Sequence, residues 1–186
     1  MDRKKLGNLN REKFGVILPI TLLSYFLILM DNSIIFTSSA QIGESLGLSA
    51  SALSWVSSAY TLTFGGFLLL SGRLSDLLGR KRIFLIGLLI FGFSSLMIGL
   101  SKTAEMVIIM RAVQGIGSSI IAPTTLALIM DAYQNNMRQR AISYYGATAG
   151  IGSSIGLLVG GGLTSLISWR AGFLINVPFT LVLFIF

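Results

Sequence analysis

Long apolar runs with almost no charged residues dominate this chain, and they restrict its possible folds more than any other feature. A helix needs about 20 mostly apolar residues to cross the hydrocarbon core of a bilayer. The runs that qualify cover residues 16–40, 52–71, 83–100, 106–130, 141–167 and 171 to the end. They lack the alternating pattern of a membrane β-barrel, which is the other way to satisfy backbone groups in lipid. We therefore predict an all-α membrane protein with six transmembrane helices.

The composition supports a membrane protein and argues against several kinds of chemistry. Hydrophobic residues make up 53% of the chain and charged residues only 11%, and the mean hydropathy is +0.81. A soluble domain of 186 residues could not hide this much apolar surface from water. Histidine and cysteine are both absent, which excludes Ser-His and thiol catalysis and any His/Cys metal cluster. We expect neither an enzyme nor a metal or other cofactor.

The basic residues indicate how the helices are oriented. The net charge is +7, but the bases lie beside apolar runs and are not interleaved with aromatic residues, so we expect no nucleic-acid partner. With six spans, eleven of the fourteen Lys and Arg residues fall on the face that carries the N-terminus, whereas Lys102 and Arg170 fall on the other. The positive-inside rule then predicts a cytoplasmic basic tail over residues 1–13 and a six-helix bundle over residues 14–186 in the cytoplasmic membrane.

The sixth run is short. Only sixteen residues follow Arg170, and at 1.5 Å each they cover about 24 Å of a hydrocarbon core about 30 Å thick. We expect the last helix to be truncated and the chain to be the N-terminal part of something longer, or a truncated product.

An internal repeat appears when the sequence is shifted by 89 residues. GRLSDLLGRKRIFLI at 72–86 then aligns with GGLTSLISWRAGFLI at 161–175, so that Asp76 corresponds to Ser165 and Arg80 to Trp169. Both segments join the second and third spans of a three-helix set, but on opposite faces of the membrane. Two three-helix repeats related by inversion are typical of secondary transporters.

The loop between spans two and three combines charge with glycine. Gly79 permits a positive φ in a sharp turn, and Gly72 would allow close helix packing. Asp76 and Arg80 are four residues apart, so on a continued helical turn they can form an ion pair. A simple positive-inside stop signal explains the bases, but it needs neither the acid nor the glycines.

Two charged residues lie inside apolar spans. A charge within the bilayer costs about 3 kcal/mol unless it is paired or faces water, so Asp31 and Arg111 are candidate functional residues. We expect them to lie at comparable depth and to face a common cavity. Moving the arginine relative to the acid would change which protonation state of the acid is favoured, and this would couple protons to a conformational change. A structural ion pair without a transport role is the alternative.

The segment GRLSDLLGRKR at 72–82 resembles motif A of the major facilitator superfamily, G-x-L-x-D-x-x-G-R-[KR]-[KR], at every defined position. The resemblance implies that Asp76 and Arg80 belong to a charge cluster at the cytoplasmic gate. An acid at the end of helix four joins this cluster in the family, and Asp131 stands at that place. The cluster would latch the two six-helix halves together when the transporter is open to the outside.

Other segments resemble further motifs of the same superfamily. LMDNSII around Asp31 resembles motif D, and IIMRAVQGIGSSI resembles motif B, in which an arginine is implicated in proton coupling. The motif B positions are Arg111, Gln114, Gly115 and Gly117. SWRAGFLINVPF at 168–179 resembles the segment W-R-W-x-F-x-I-N-x-P that opens helix six in drug/proton antiporters with fourteen spans.

The fifth run resembles motif C of the exporters, a glycine-rich helix-packing motif. The matching glycines are Gly152, Gly156, Gly160 and Gly161. Leu157 stands where the motif has proline, so any bend in this helix would depend on glycine alone.

Together the resemblances imply the N-terminal half of a multidrug exporter that exchanges protons for amphipathic or cationic substrates and rocks against a missing C-terminal half. Asp31, Arg111 and Gln114 would form the proton-coupling or substrate site. Trp55, Tyr60 and Phe64 are possible stacking contacts, although such aromatics more often pack against lipid or other helices. Two alternatives remain open: a solute uptake carrier of the same superfamily, and a truncated half-transporter with no transport activity.

Overall fold

The computed structural model describes residues 14–185, and this part of the chain is almost entirely helical. The helices are α1 (Ile17–Leu46), α2 (Ala50–Leu78), α3 (Arg80–Gly99), α4 (Ala104–Ala132), α5 (Asn135–Leu166), α6 (Trp169–Leu174) and α7 (Asn176–Ile185). Helices α1 to α5 are long and apolar enough to cross a membrane, and residues 169–185 form a shorter apolar helix that is interrupted once. The predicted all-α class with six helices is confirmed. The predicted basic tail lies outside the described residues.

Several helix ends differ from the predicted spans. Helix α1 continues to Leu46 and α2 to Leu78, beyond the predicted ends at 40 and 71, and α5 begins at Asn135, before the predicted start at 141. The apolar runs mark the part of each helix that suits hydrocarbon. The backbone hydrogen bonds of a helix continue through the polar residues on either side, where water is available.

The bundle has two chemically different ends. We call the end that carries the α2–α3 and α4–α5 connections the basic end; its cationic residues in the described chain are Arg73, Arg80, Lys81, Arg82, Arg138 and Arg140. The opposite end carries the α1–α2, α3–α4 and α5–α6 connections, where Lys102 and Arg170 lie. The helices alternate in direction between these two ends.

Helix packing follows the predicted repeat. Helix α1 packs against α5, α2 against α4, and α3 against α4, α6 and α7. Helix α3 begins at Arg80 and α6 begins at Trp169, 89 residues later. Each of these residues contacts the last turns of the first helix of the other repeat: Arg80 pairs with Asp131 on α4, and Trp169 Nε1 donates a 2.8 Å hydrogen bond to Ser45 Oγ on α1. The junctions therefore share a geometry but use different chemistry.

The helix that follows Trp169 is broken after one and a half turns. Helix α6 ends at Leu174 and α7 begins at Asn176. Pro178 has no N–H to bond the carbonyl of Leu174, and its ring crowds that carbonyl, so a break at this point is expected. The break turns the side chain of Asn176 into the centre of the bundle, where it is completely buried.

Candidate functional site

A buried ion pair lies at the centre of the bundle. Arg111 Nη1 is 2.7 Å from Asp31 Oδ2, and the two side chains are 1% and 0% exposed. We predicted a common cavity for these two charges. In the structure the two charges are instead in direct contact and closed off from solvent, and their pairing makes this burial tolerable.

Amide and hydroxyl groups complete the hydrogen bonding of the pair. Gln114 Nε2 donates to Asp31 Oδ1 at 3.0 Å and to Ser95 Oγ at 2.8 Å, while Gln114 Oε1 accepts from Arg111 Nη1 at 2.7 Å. Asn176 Nδ2 donates to Asp31 Oδ1 at 2.7 Å. The carboxylate therefore accepts from three side chains on two other helices. Buried charges are tolerated in proteins when they are paired and hydrogen-bonded in this way.

Helix α2 covers the other side of Arg111. The guanidinium carbon lies 4.2 Å from the centre of the Tyr60 ring, and Arg111 Nε donates to the Val56 carbonyl at 3.3 Å. Asn32 Nδ2 donates to the Tyr60 hydroxyl at 3.0 Å. Of the aromatics considered as stacking contacts, Tyr60 thus contacts the arginine, Phe64 stacks on Tyr60, and Trp55 is half exposed.

The motif B glycines hold the helices close enough to form this site. A Cβ atom at Gly115 would collide with Thr63 Oγ1 and the Tyr60 carbonyl on α2. A Cβ atom at Gly117 would lie 2.8 Å from the backbone nitrogen of Phe91 on α3. Helices α2 and α3 therefore approach the α4 backbone directly, on either side of Gln114. Small residues permit this close approach in membrane bundles.

Asn176 is the site residue that the sequence analysis missed as a functional group. The sequence places it only within the segment that resembles the opening of helix six, although an amide side chain inside an apolar run is a usable signal. Its position depends on α3, where Cβ atoms at Gly92 and Gly99 would collide with Thr180 and Leu174 at 2.5 Å. These two glycines let the broken helix pack close to α3 and to Asp31.

The charge cluster predicted at the cytoplasmic gate is formed at the basic end. Arg80 Nη1 is 2.7 Å from Asp131 Oδ1 and donates to the Ala127 carbonyl at 2.6 Å, while Arg80 Nη2 is 3.1 Å from Asp76 Oδ1. The acids are 51% and 61% exposed. Exposed pairs of this kind contribute only about 0.2–1 kcal/mol each, so the cluster is weak enough to break and reform.

The two glycines of this segment have different roles, because Gly72 lies within α2 and not in the predicted loop. Gly79 is the single residue between α2 and α3 and has φ +95° and ψ 124°, a conformation that a side chain strongly disfavours. A Cβ atom at Gly72 would lie 3.9 Å from Pro123, which is an ordinary contact. The close packing expected at Gly72 is therefore not present. The expected Asp76–Arg80 pair forms, but across the Gly79 junction and not on one continuous helix.

Three of the four motif C glycines lie at the α1–α5 interface. Cβ atoms at Gly156 and Gly160 would lie 2.8 and 2.9 Å from the Cα atoms of Met30 and Ile34, and one at Gly152 would lie 3.1 Å from Leu29 Cβ. Gly161 faces open space, with nothing within 4 Å. The packing surface of α5 is therefore one helix face with glycine at every fourth position.

A model described as Major Facilitator Superfamily matches residues 21–186. The chain belongs to the major facilitator superfamily. Its relatives in the superfamily include the uncharacterized MFS-type transporter EfpA of Mycobacterium tuberculosis, 43% identical over 155 residues that make up 83% of this chain and 29% of the relative. The cephamycin export protein CmcT of Amycolatopsis lactamdurans is 37% identical over 83% of this chain and 32% of the relative. The chain thus spans about a third of the length of these relatives.

Solved structures of transporters share the fold. A bacterial homologue of the human lysosomal transporter Spinster, in an inward-facing and occupied conformation, aligns with a TM-score of 0.78 at 20% sequence identity. The alignment covers 91% of this chain and 43% of that one. The likeness shows that the helical arrangement of this chain occurs in a solved transporter structure. Family membership and five membrane-length helices make this major facilitator chain a multi-pass membrane protein.

Proposed function

We propose that this chain forms the N-terminal half of a transporter that exports amphipathic or cationic drugs in exchange for protons. Export is supported by the likeness to the cephamycin export protein. Proton exchange is supported above all by the completely buried Asp31–Arg111 pair. Stability alone does not explain an acid and a base at the centre of a helical bundle, since apolar residues of similar volume are often as stable there.

In the proposed mechanism, the protonation of Asp31 controls which arrangement of the helices is stable. The ionised carboxylate accepts from Arg111, Gln114 and Asn176 and holds α1, α4 and α7 together. A proton on Asp31 removes the charge that Arg111 neutralises. The unpaired arginine then favours an arrangement in which water or a substrate group reaches it, so protonation shifts the population between two conformations.

The gate assignment rests on the cluster at the basic end. We assign Asp76, Arg80 and Asp131 to a contact that breaks and reforms in each cycle, with Gly72 in α2 and Gly79 between α2 and α3 in the segment that carries it. The positive-inside rule supports placing this end and the N-terminus in the cytoplasm. The cell membrane then separates it from the end that carries Lys102 and Arg170.

The proposed partner is a second helical half. Only 17% and 22% of the residues in the apolar segments of α2 and α5 are buried, against 50% in α1, α3 and α4. The chain also spans about a third of its curated relatives. Further membrane helices packed on α2 and α5 would cover these faces, while Gly152, Gly156 and Gly160 on α5 serve packing against α1.

Transport of a cationic dye by the full-length gene product in proteoliposomes tests the proposal. We expect dye to move against an imposed proton gradient, and we expect Asp31→Asn to abolish this movement while the protein still inserts into the membrane. Dye movement in Asp31→Asn at the wild-type rate would remove Asp31 from the coupling role.

A matched pair of variants separates coupling from folding. Asp31→Asn leaves Arg111 buried without its partner, which costs about 3–5 kcal/mol. The double change Asp31→Asn with Arg111→Gln removes both charges, so we expect it to recover stability without recovering coupling. If the double variant recovered both stability and proton coupling, the Asp31–Arg111 pair would be structural only. Dye movement along the proton gradient would favour an uptake carrier, and no movement under any gradient would favour an inactive half.

A further inference from the structure

Asn176 is the one amide of the central site with an unused group. Its Nδ2 donates to Asp31 Oδ1 at 2.7 Å and lies 3.4 Å from Ser95 Oγ, whereas its Oδ1 is buried and has no hydrogen-bond partner. A buried carbonyl oxygen without a donor costs about 1–3 kcal/mol. An unpaired buried oxygen directly beside the Asp31 carboxylate requires an explanation.

The ionised and protonated forms of Asp31 need different neighbours. A carboxylate accepts hydrogen bonds only, while a carboxylic acid must also donate one. Asp31 Oδ1 faces two donors, Gln114 Nε2 at 3.0 Å and Asn176 Nδ2 at 2.7 Å. A proton on this oxygen would therefore point at an N–H group unless one of the amides turned round.

Gln114 is not free to turn. Its Oε1 accepts from Arg111 Nη1 at 2.7 Å, and its Nε2 also donates to Ser95 Oγ at 2.8 Å. A half-turn would place the Gln114 amide hydrogens against those of the guanidinium. Two donors facing each other in a buried site are strongly disfavoured.

Asn176 can turn without losing an equivalent bond. A half-turn about its last side-chain bond places Oδ1 against Asp31 Oδ1, where it accepts the acid proton, and near Ser95, whose hydroxyl can donate to it. In either orientation one end of the amide is left without a partner, so the two orientations differ mainly in how they suit Asp31. The protonation of Asp31 then decides between them.

We propose that Asn176 is a positioning residue that serves both protonation states of Asp31, donating to the carboxylate and, after an amide rotation, accepting from the carboxylic acid. The proton comes from water and returns to water. The O–H bond forms on Asp31, and Asn176 gains and loses no proton. This inference depends on the proposed proton coupling.

The surroundings contain few other groups that could respond to the same proton. Arg111 faces Asp31 from α4, and the Tyr60 ring faces the guanidinium from α2. Helix α3 contributes the uncharged Ser95 and α7 contributes Asn176 itself. An infrared change tied to Asp31 can therefore be assigned to these few groups.

Infrared difference spectra of the full-length gene product in lipid, recorded between high and low pH, test the inference. We expect a carboxylic acid C=O band that disappears in Asp31→Asn. In Asn176→Leu this band should shift to the higher frequency of an acid that donates no hydrogen bond. Thr180→Val is the matched control, because Thr180 lies one turn along α7 and bonds the backbone carbonyl of Asn176 but not its side chain; its band should stay in place.

A second measurement needs no substitution of Asn176. Wild-type protein labelled with ¹³C at asparagine side-chain carbonyls should show an asparagine amide band that shifts with pH, and this shift should vanish in Asp31→Asn. An acid band that stays in place in Asn176→Leu, or an asparagine band that does not respond to pH in wild type, would overturn the inference. If wild type shows the Asp31 band but no proton-driven transport, the proposed function fails; if transport is normal and asparagine is silent, only the inference fails.

Discussion

Arg111 is held between an acid and an aromatic ring: its Nη1 contacts Asp31, and its guanidinium carbon lies 4.2 Å from the centre of the Tyr60 ring. The ring faces a cation that is removed from water, where a cation–π contact is worth up to about 2 kcal/mol. We therefore expect Tyr60→Leu to lower the free energy of unfolding of the purified protein by about 2 kcal/mol. Tyr60→Phe keeps the ring and should lose less, about 1 kcal/mol, through the bond from Asn32. Equal losses in both variants would show that the ring face contributes nothing.

The Gly79 junction gives a second prediction. We expect Gly79→Ala to destabilise the protein by about 1–3 kcal/mol, because a residue with a Cβ atom is strained at φ +95°. Gly72→Ala, two turns earlier in α2 and with only an ordinary 3.9 Å contact to Pro123, should be neutral. Thermal unfolding in detergent compares the two, and a larger loss for Gly72→Ala would contradict the assignment.

The glycine face of α5 gives a third prediction. Gly156→Ala would place its Cβ atom 2.7 Å from Ser33 Cβ and 2.8 Å from Met30 Cα, so we expect a loss of about 1–3 kcal/mol from overpacking. Gly161→Ala meets nothing within 4 Å and should be neutral or slightly stabilising, since alanine is the better helix former. The same unfolding assay applies. A stable Gly156→Ala protein would mean that α1 and α5 can separate at little cost.

Arg80→Ala tests the proposed gate. Its ion pairs are half exposed, so we expect little change in unfolding temperature. We expect slower transport cycles with unchanged dye binding. The variant removes the ion pairs of Arg80 with Asp76 and Asp131, which stabilise only one conformation of the proposed cycle. Arg80→Lys is the control that keeps the charge but loses the two-sided geometry. Turnover at the wild-type rate in Arg80→Ala would argue against the gate.

The proposed orientation can be measured directly, because residues 1–186 contain no cysteine. A single cysteine at Arg82, in the basic end, should react with a membrane-impermeant thiol reagent only in inside-out vesicles. A single cysteine at Lys102, at the opposite end, should react only in intact cells. The reverse pattern would invert the proposed topology and with it the direction of transport.

The sequence was sufficient for the fold and for part of the site. Apolar runs located the six helices, and the rarity of charges within them singled out Asp31 and Arg111. The helix ends were less predictable, because hydropathy marks hydrocarbon depth and not the length of a helix. The direct contact between the two charges, and the place of Asn176 beside them, depend on how closely α4 and α7 pack against their neighbours. That closeness is decided by Gly92, Gly115 and Gly117, whose partners lie far away in the sequence.

The Arg80–Asp131 contact and the Trp169–Ser45 contact, which start α3 and α6, differ in their response to ionic strength. The contact between Arg80 and Asp131 is electrostatic and half exposed, so dissolved ions screen it. The bond between Trp169 and Ser45 joins two neutral groups and has no such sensitivity. Raising the ionic strength therefore weakens the contact at the basic end of the bundle and leaves the contact at the opposite end unchanged.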